Sequence, residues 1–269
     1  MTATNRFSAH IGYLFTELPL AERVAAAAKA GFTAIEHPQP FAIAAKEMRK
    51  LVDDHGLAFA QLAGAAGDSS KGEKGLGALV GREPDFRPAF DRSLEYALTV
   101  GASFVHPMAG VPDVADTSRW FGVYTENVQY AVERTSNTGV KVLIEAISHA
   151  AVPGYAISTL AEASRIQDFF GPGNVAILVD TYHATSSGTD AADWLRANPG
   201  RTGHVHIADC PGRHEPGTGD IDFARVLDAL AEQDFAGAIG FEYVPSITTA
   251  ESTTFLDGWK SRSRERVNQ

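Results

Sequence analysis

Val175-Ala176-Ile177-Leu178-Val179-Asp180 is an apolar run that closes on a carboxylate. Its length and β-branched content mark a buried strand, and a lone carboxylate buried there costs several kcal/mol unless it is paired, protonated or bound to a cation. The pattern recurs on both sides. Val142-Leu143-Ile144-Glu145-Ala146 precedes it, and His204-Val205-His206-Ile207 and Ile239-Gly240-Phe241-Glu242-Tyr243 follow, each with an ionisable group near its end.

Extending outward, eight strand candidates appear: Phe7–Gly12, Thr33–Glu36, Ala58–Leu62, Phe104–Met108, Val140–Ala146, Val175–Asp180, Gly203–Ala208 and Ala238–Tyr243. Between them lie segments of helical spacing at Leu20–Ala30, Ala42–His55, Pro88–Val100, Arg119–Thr135, Thr159–Phe169 and Ile221–Glu232. Several end in a glycine followed at once by a strand, as in Lys29-Ala30-Gly31 and Thr99-Val100-Gly101. Alternation of this kind predicts a parallel sheet with crossover helices, and eight units over ~250 residues have the size of a single (β/α)₈ barrel. No linker or composition shift divides residues 1–269, so one domain is expected.

One connection is uneconomical. After the third strand, Gly64 to Pro88 contains six glycines between Gly64 and Gly81 and has little helical pattern. A loop of that length after a strand's C-terminal end is expected to stand over the barrel mouth as a lid.

The composition excludes several classes. A net charge of −10 opposes nucleic-acid binding, which needs clustered Lys and Arg; the basic run Lys260 to Arg266 has the look of a solvated last helix or tail. No apolar run is long enough to span a membrane, and Met1 to Arg6 is too short and polar for a secretory signal, so a cytoplasmic protein without a membrane partner is expected. The single cysteine, Cys210, excludes a disulfide framework and a Cys-based zinc knuckle, leaving oxygen and imidazole as metal ligands. The sequence holds no Gly-x-Ser-x-Gly elbow, Walker loop, His-Glu-x-x-His helix or Rossmann glycine fingerprint after the first strand.

Glu145, Asp180, His206 and Glu242, at the ends of strands five to eight, are therefore expected to converge at the C-terminal mouth and hold one divalent ion such as Mg²⁺, Mn²⁺ or Co²⁺. Each alone is equally readable as a helix cap or salt-bridge partner; the coincidence of four at the same strand end favours the metal. His183, three residues past Asp180, is a candidate donor to a substrate oxygen, although a loop histidine is by default at the surface. Arg213, after strand seven, is a candidate partner for a substrate carboxylate. His106 ends the fourth strand and is a candidate substrate contact. His204 lies one layer deeper than His206 on the same face and is expected to be a satisfied core histidine.

These motifs resemble the xylose-isomerase-like barrels and, within them, the hydroxypyruvate isomerase family. The resemblance runs over nearly the whole chain. It rests on Leu14-Phe15-Thr16-Glu17-Leu18-Pro19, on Gly72-Glu73, Gly75-Leu76 and Gly81-Arg82-Glu83, on Met108-Ala109-Gly110, and on Glu145-Ala146. Asp180-Thr181-Tyr182-His183-Ala184, Gly212-Arg213-His214-Glu215-Pro216, Gly219-Asp220-Ile221 and Phe241-Glu242-Tyr243 complete it. It implies a metal at Glu145, Asp180, His206 and Glu242. It also implies a small hydroxy-oxo acid or sugar-acid substrate: hydroxypyruvate interconverting with 2-hydroxy-3-oxopropanoate, or a related 2-oxo-tetronate, through a cis-enediolate. Glu145 and Glu242 would be the acid/base pair, with Arg213 and Arg82 from the lid holding the carboxylate. His206 stands where hydroxypyruvate isomerases often carry Gln and ketose 3-epimerases carry His. A ketose or inosose 3-epimerase and a non-catalytic barrel subunit remain alternatives, and a homo-oligomer remains open.

Overall fold

In the strand Val175–Asp180, residues alternate between two environments. Val175, Ile177 and Val179 join the large apolar layer between sheet and helices, while Ala176 and Leu178 join a small inner cluster with Leu143 and Phe104. Asp180 is next in the inner phase, so the period of two aims its carboxylate into the barrel.

The computed structural model describes residues 6–113 and 117–267. Most of the N-terminal segment read as lacking a secretory signal, Met1 to Asn5, lies outside them. The strands are β1 (Phe7–His10), β2 (Ala34–Glu36), β3 (Ala58–Phe59), β4 (Gln61–Gly64), β5 (Phe104–Pro107), β6 (Lys141–Glu145), β7 (Val175–Asp180), β8 (Thr202–Ile207) and β9 (Ile239–Phe241). They form one parallel sheet in the order β3-β2-β1-β9-β8-β7-β6-β5-β4.

The single third strand expected from the sequence is two pieces. Phe59 and Leu62 both face the outer layer, three residues apart, so the phase slips by one between them. Ala60 bridges the slip: its N–H donates to the Ile35 carbonyl at 2.8 Å, and its own carbonyl accepts from the Ser103 amide at 3.1 Å. One residue thus closes the barrel, which keeps eight strand positions.

The helices are α1 (Leu20–Lys29), α2 (Ala45–Asp54), α3 (Glu83–Val100), α4 (Thr117–Thr135), α5 (Leu160–Phe170), α6 (Thr181–Ser186), α7 (Ala191–Ala197), α8 (Phe223–Glu232), α9 (Thr249–Ser252) and α10 (Leu256–Val267). α6, α7 and α9 were not foreseen. α3 begins five residues before the expected Pro88, because Pro84 near its N-terminus gives up an amide that has no helical partner anyway. No helix among the described residues is long and apolar enough to cross a membrane.

That early start shortens the glycine-rich connection, and its inner half is fixed rather than free. The amides of Gly77 and Ala78 donate to the carbonyls of Met108 (3.0 Å) and Ala109 (2.7 Å), Leu76 N–H donates to Ala65 O, and Asn127 Nδ2 donates to Gly77 O at 2.9 Å. The backbones are close enough to require glycine: a Cβ on Gly110 (φ +86°) would lie 2.2 Å from Gly75 O. The stretch around Asp68–Lys71 is exposed.

Candidate active site

The inner phase brings one side chain from each strand position to the C-terminal mouth. In order these are His10, Glu36, Ala63, His106, Glu145, Asp180, His206 and Glu242, the last in the residue following β9. The four ligand candidates do converge, with one donor atom of each within 4.8 Å of the others. His206 Nδ1 is 3.0 Å from Glu242 Oε2, 3.8 Å from Glu145 Oε1 and 3.9 Å from Asp180 Oδ2.

Asp180 has two roles. Its Oδ1 accepts from the His183 amide at 2.9 Å, capping α6. Its Oδ2 is buried with no hydrogen-bond partner, as are both ring nitrogens of His206. Such orphaned atoms facing one another among carboxylates are what a cation would satisfy. Three carboxylates and an imidazole make a hard-to-borderline donor set, so the residues fit a divalent ion.

The groups are electrostatically differentiated. Burial works against the Glu242 charge, but Arg213 and His206 outweigh it and hold the carboxyl well below its usual range. Burial works against Glu145 as well, and its contact with His206 lowers it nonetheless. Asp180 is raised, by burial first, with the charges of Glu242 and Glu145 adding to the effect. Burial alone would lower His206; the carboxylates of Glu242 and Glu36 push it well above its ordinary value.

Arg213 Nη2 donates to Glu242 Oε2 at 2.7 Å, and the guanidinium stacks over the rings of Tyr13 (5.2 Å) and Tyr182 (5.4 Å). The loop that presents it is organised by Asp209. Fully buried after β8, Asp209 accepts from the amides of Cys210 (2.8 Å) and Ile221 (3.1 Å) on Oδ1 and of Gly217 (2.8 Å) and Gly219 (2.9 Å) on Oδ2. Burial opposes the Arg213 charge, and Glu242 and Asp180 raise its pKa despite this.

His183 is buried in α6 rather than on a surface loop. The Ser148 amide donates to its Nδ1 at 3.4 Å, so in the neutral ring Nε2 carries the proton and faces Asp180 Oδ2 at 3.9 Å. His106 Nδ1 lies 3.4 Å from Glu145 Oε2, and burial lowers its pKa. Arg82 is not brought to this cluster: its guanidinium is held by Glu73 (2.8 Å) and Asp85 on the exposed side of the connection. His204 is buried in the core as expected, 2.7 Å from Glu36, but neither ring nitrogen makes a hydrogen bond, so it is not the satisfied histidine the sequence suggests.

His10, Glu36, Tyr13 and Asp209 are additional. His10 and Glu36 end apolar strands like the other four, and the same rule applied to β1 and β2 finds them. His10 Nε2 lies 3.3 Å from Glu242 Oε1. Asp209 gives no local signal, since its partners are amides up to 12 residues away.

Residues 24–258 match the family described as xylose isomerase-like TIM barrel. The chain is 36% identical to a 2-oxo-tetronate isomerase of Cupriavidus necator (96% of this chain, 99% of the relative). It is 28% identical to the hydroxypyruvate isomerase of Escherichia coli (95% and 99%). A solved Brucella melitensis structure, described as an AP endonuclease of family 2, superposes with a TM-score of 0.91 at 30% identity, covering 95% of this chain and 99% of that one.

Proposed function

This chain belongs to the xylose isomerase-like TIM barrel family, and we propose that it is an isomerase of small hydroxy-oxo acids, interconverting hydroxypyruvate and 2-hydroxy-3-oxopropanoate or a related 2-oxo-tetronate. The observation that carries this is the adjacency of two devices: a convergent carboxylate–imidazole set and, at hydrogen-bond distance from its Glu242, an arginine clamped between two tyrosines.

A divalent ion held by Glu145, Asp180, His206 and Glu242 would supply Lewis acidity to a neighbouring carbonyl and hydroxyl oxygen. The rest is done by the chain. Arg213 binds the substrate carboxylate, its planar fork suited to two parallel hydrogen bonds. Glu242, kept ionised by Arg213 and His206, is the base at carbon. For hydroxypyruvate, a proton leaves C3 and one returns at C2, while the hydroxyl proton passes from O3 to O2. Glu145 faces the same space and is the second proton-handling group. His183 donates through Nε2 to a substrate oxygen, and His106 contacts substrate from beside Glu145. Arg82, ion-paired with Glu73 and Asp85 in the glycine-rich connection, is the secondary candidate for the carboxylate. The protein works as a soluble enzyme of the cytoplasm.

The test is incubation of purified protein with hydroxypyruvate, 2-oxo-tetronates and ketoses in D₂O, with NMR detection and metal analysis. Deuterium at C2 of the hydroxy-oxo acids supports the proposal. Exchange only at C3 of ketoses selects the epimerase alternative, and neither metal nor exchange selects a non-catalytic barrel.

A further inference from the structure

Glu36 ends β2 inside the barrel with no exposed surface. Its Oε2 lies 2.7 Å from His204 Nε2 and its Oε1 lies 3.1 Å from His206 Nε2, ion-pair contacts in which neither oxygen has an aligned hydrogen bond. Both histidines come from β8, two residues apart, so one carboxylate spans two successive inner layers of the same strand. The space for it comes from β9. A Cβ at Gly240 would fall 2.1 Å from Glu36 Oε1, 2.8 Å from His206 Cδ2 and 2.9 Å from His204 Nε2. A glycine inside a strand weakens it unless another group needs the room, and here the group is this carboxylate.

The same imidazole has its other nitrogen in the candidate metal set, Nδ1 being the atom near Glu145, Asp180 and Glu242. A carboxylate on one ring nitrogen fixes the ring plane, puts the proton on that nitrogen and leaves the opposite lone pair free as a ligand.

We propose that Glu36 is a positioning residue that holds His206 with Nε2 protonated and Nδ1 presented to the metal, and that Gly240 is the gap that admits it. His204 stands 2.7 Å from the carboxylate's second oxygen and, with the wall of β9, limits the space in which it can turn. This inference rests on the metal reading of the site. In this arrangement Glu36 stands outside the set formed by Glu145, Asp180, His206 and Glu242, so its removal would weaken metal binding through His206 alone.

The experiment is metal competition against a chromophoric chelator for the wild type and Glu36→Gln, with the visible spectrum of the Co²⁺ forms and the melting temperature of both metal-free forms. Expected are a 10- to 100-fold weaker Kd and an altered Co²⁺ spectrum in E36Q, with one ion per chain in both proteins. A Kd within twofold of wild type with an unchanged spectrum overturns the proposal. Two ions in the wild type and one in E36Q also overturn it, making Glu36 a ligand. A wild type that binds no metal defeats the metal reading instead. If E36Q does not fold, ¹⁵N NMR of the metal-loaded wild type decides: a one-bond N–H coupling at His206 Nε2 is expected, and a proton at Nδ1 overturns the proposal.

Discussion

Arg213 Nη2 and Glu242 Oε2 are 2.7 Å apart, so the cation assigned to the substrate carboxylate and the carboxylate assigned to proton transfer are already in contact. A carboxylate substrate must share or take over that guanidinium. Arg213→Lys keeps the charge but loses the planar fork and the stacking on Tyr13 and Tyr182. We expect KM for hydroxy-oxo acids to rise roughly 10-fold or more, with a smaller change in kcat. Steady-state kinetics with an unaltered KM would remove Arg213 from carboxylate binding.

Glu242→Gln and Glu145→Gln should each lower kcat by about 10²–10⁴, measured at saturating metal so that weakened ligation is not the cause. Near-wild-type turnover in either variant, with metal bound, ends that residue's assignment as an acid/base group.

Chelation should lower thermal stability as well as activity. The three carboxylates at the mouth repel one another, and an ion binding only the folded chain contributes about 2.7 kcal/mol at 100 times its Kd. Restoring Mg²⁺, Mn²⁺ or Co²⁺ to the stripped protein should raise Tm by roughly 5–10 °C. A melting curve indifferent to all three would count against the metal.

The glycine-rich connection separates two costs of substitution. Gly110→Ala drives a Cβ against the Gly75 backbone and should destabilise by more than about 2 kcal/mol while exposing the segment to protease. Gly72→Ala, at φ +75° with open space around it, meets only conformational strain and should cost about 1 kcal/mol. Equal losses in chemical denaturation would mean that the inner half is not pinned.

His37 lies beside the barrel mouth with Nδ1 accepting from the Gln39 amide at 3.0 Å, and burial, with His10 and Arg23 adding, lowers its pKa to about 3. Its folded pKa is below the unfolded value near 6.5, so its contribution is complete above that pH and is lost as pH falls toward 3. Between pH 7 and 4.5 the wild type should lose about 1–2 kcal/mol more than His37→Gln in urea unfolding. Parallel losses would place the acid sensitivity elsewhere.

The barrel was legible because short apolar runs alternate with helical spacing along the chain, and the site because four of those runs, Val175 to Asp180 among them, carry an ionisable group near the end. The same logic predicted the convergence of Glu145, Asp180, His206 and Glu242. What was not legible depends on contacts distant in sequence. Ala60 gives no sign that the third strand slips there, since the slip is fixed by carbonyl and amide partners on both neighbouring strands. The ion pairs that hold Arg82, to Glu73 nine residues back and to Asp85, are likewise set by the folded connection and not by its motif. Nothing around Gly240 tells why a strand interior carries a glycine there, since the carboxylate that needs the room belongs to Glu36, over 200 positions earlier.

The slip at Ala60 has a consequence for engineering. It leaves Ala63, paired in register with His106, as the one strand end at the mouth without an ionisable side chain. A library that varies side-chain volume at position 63 reshapes the opening while every ligand and proton carrier stays in place, which makes this small buried methyl the natural starting point for retuning substrate length.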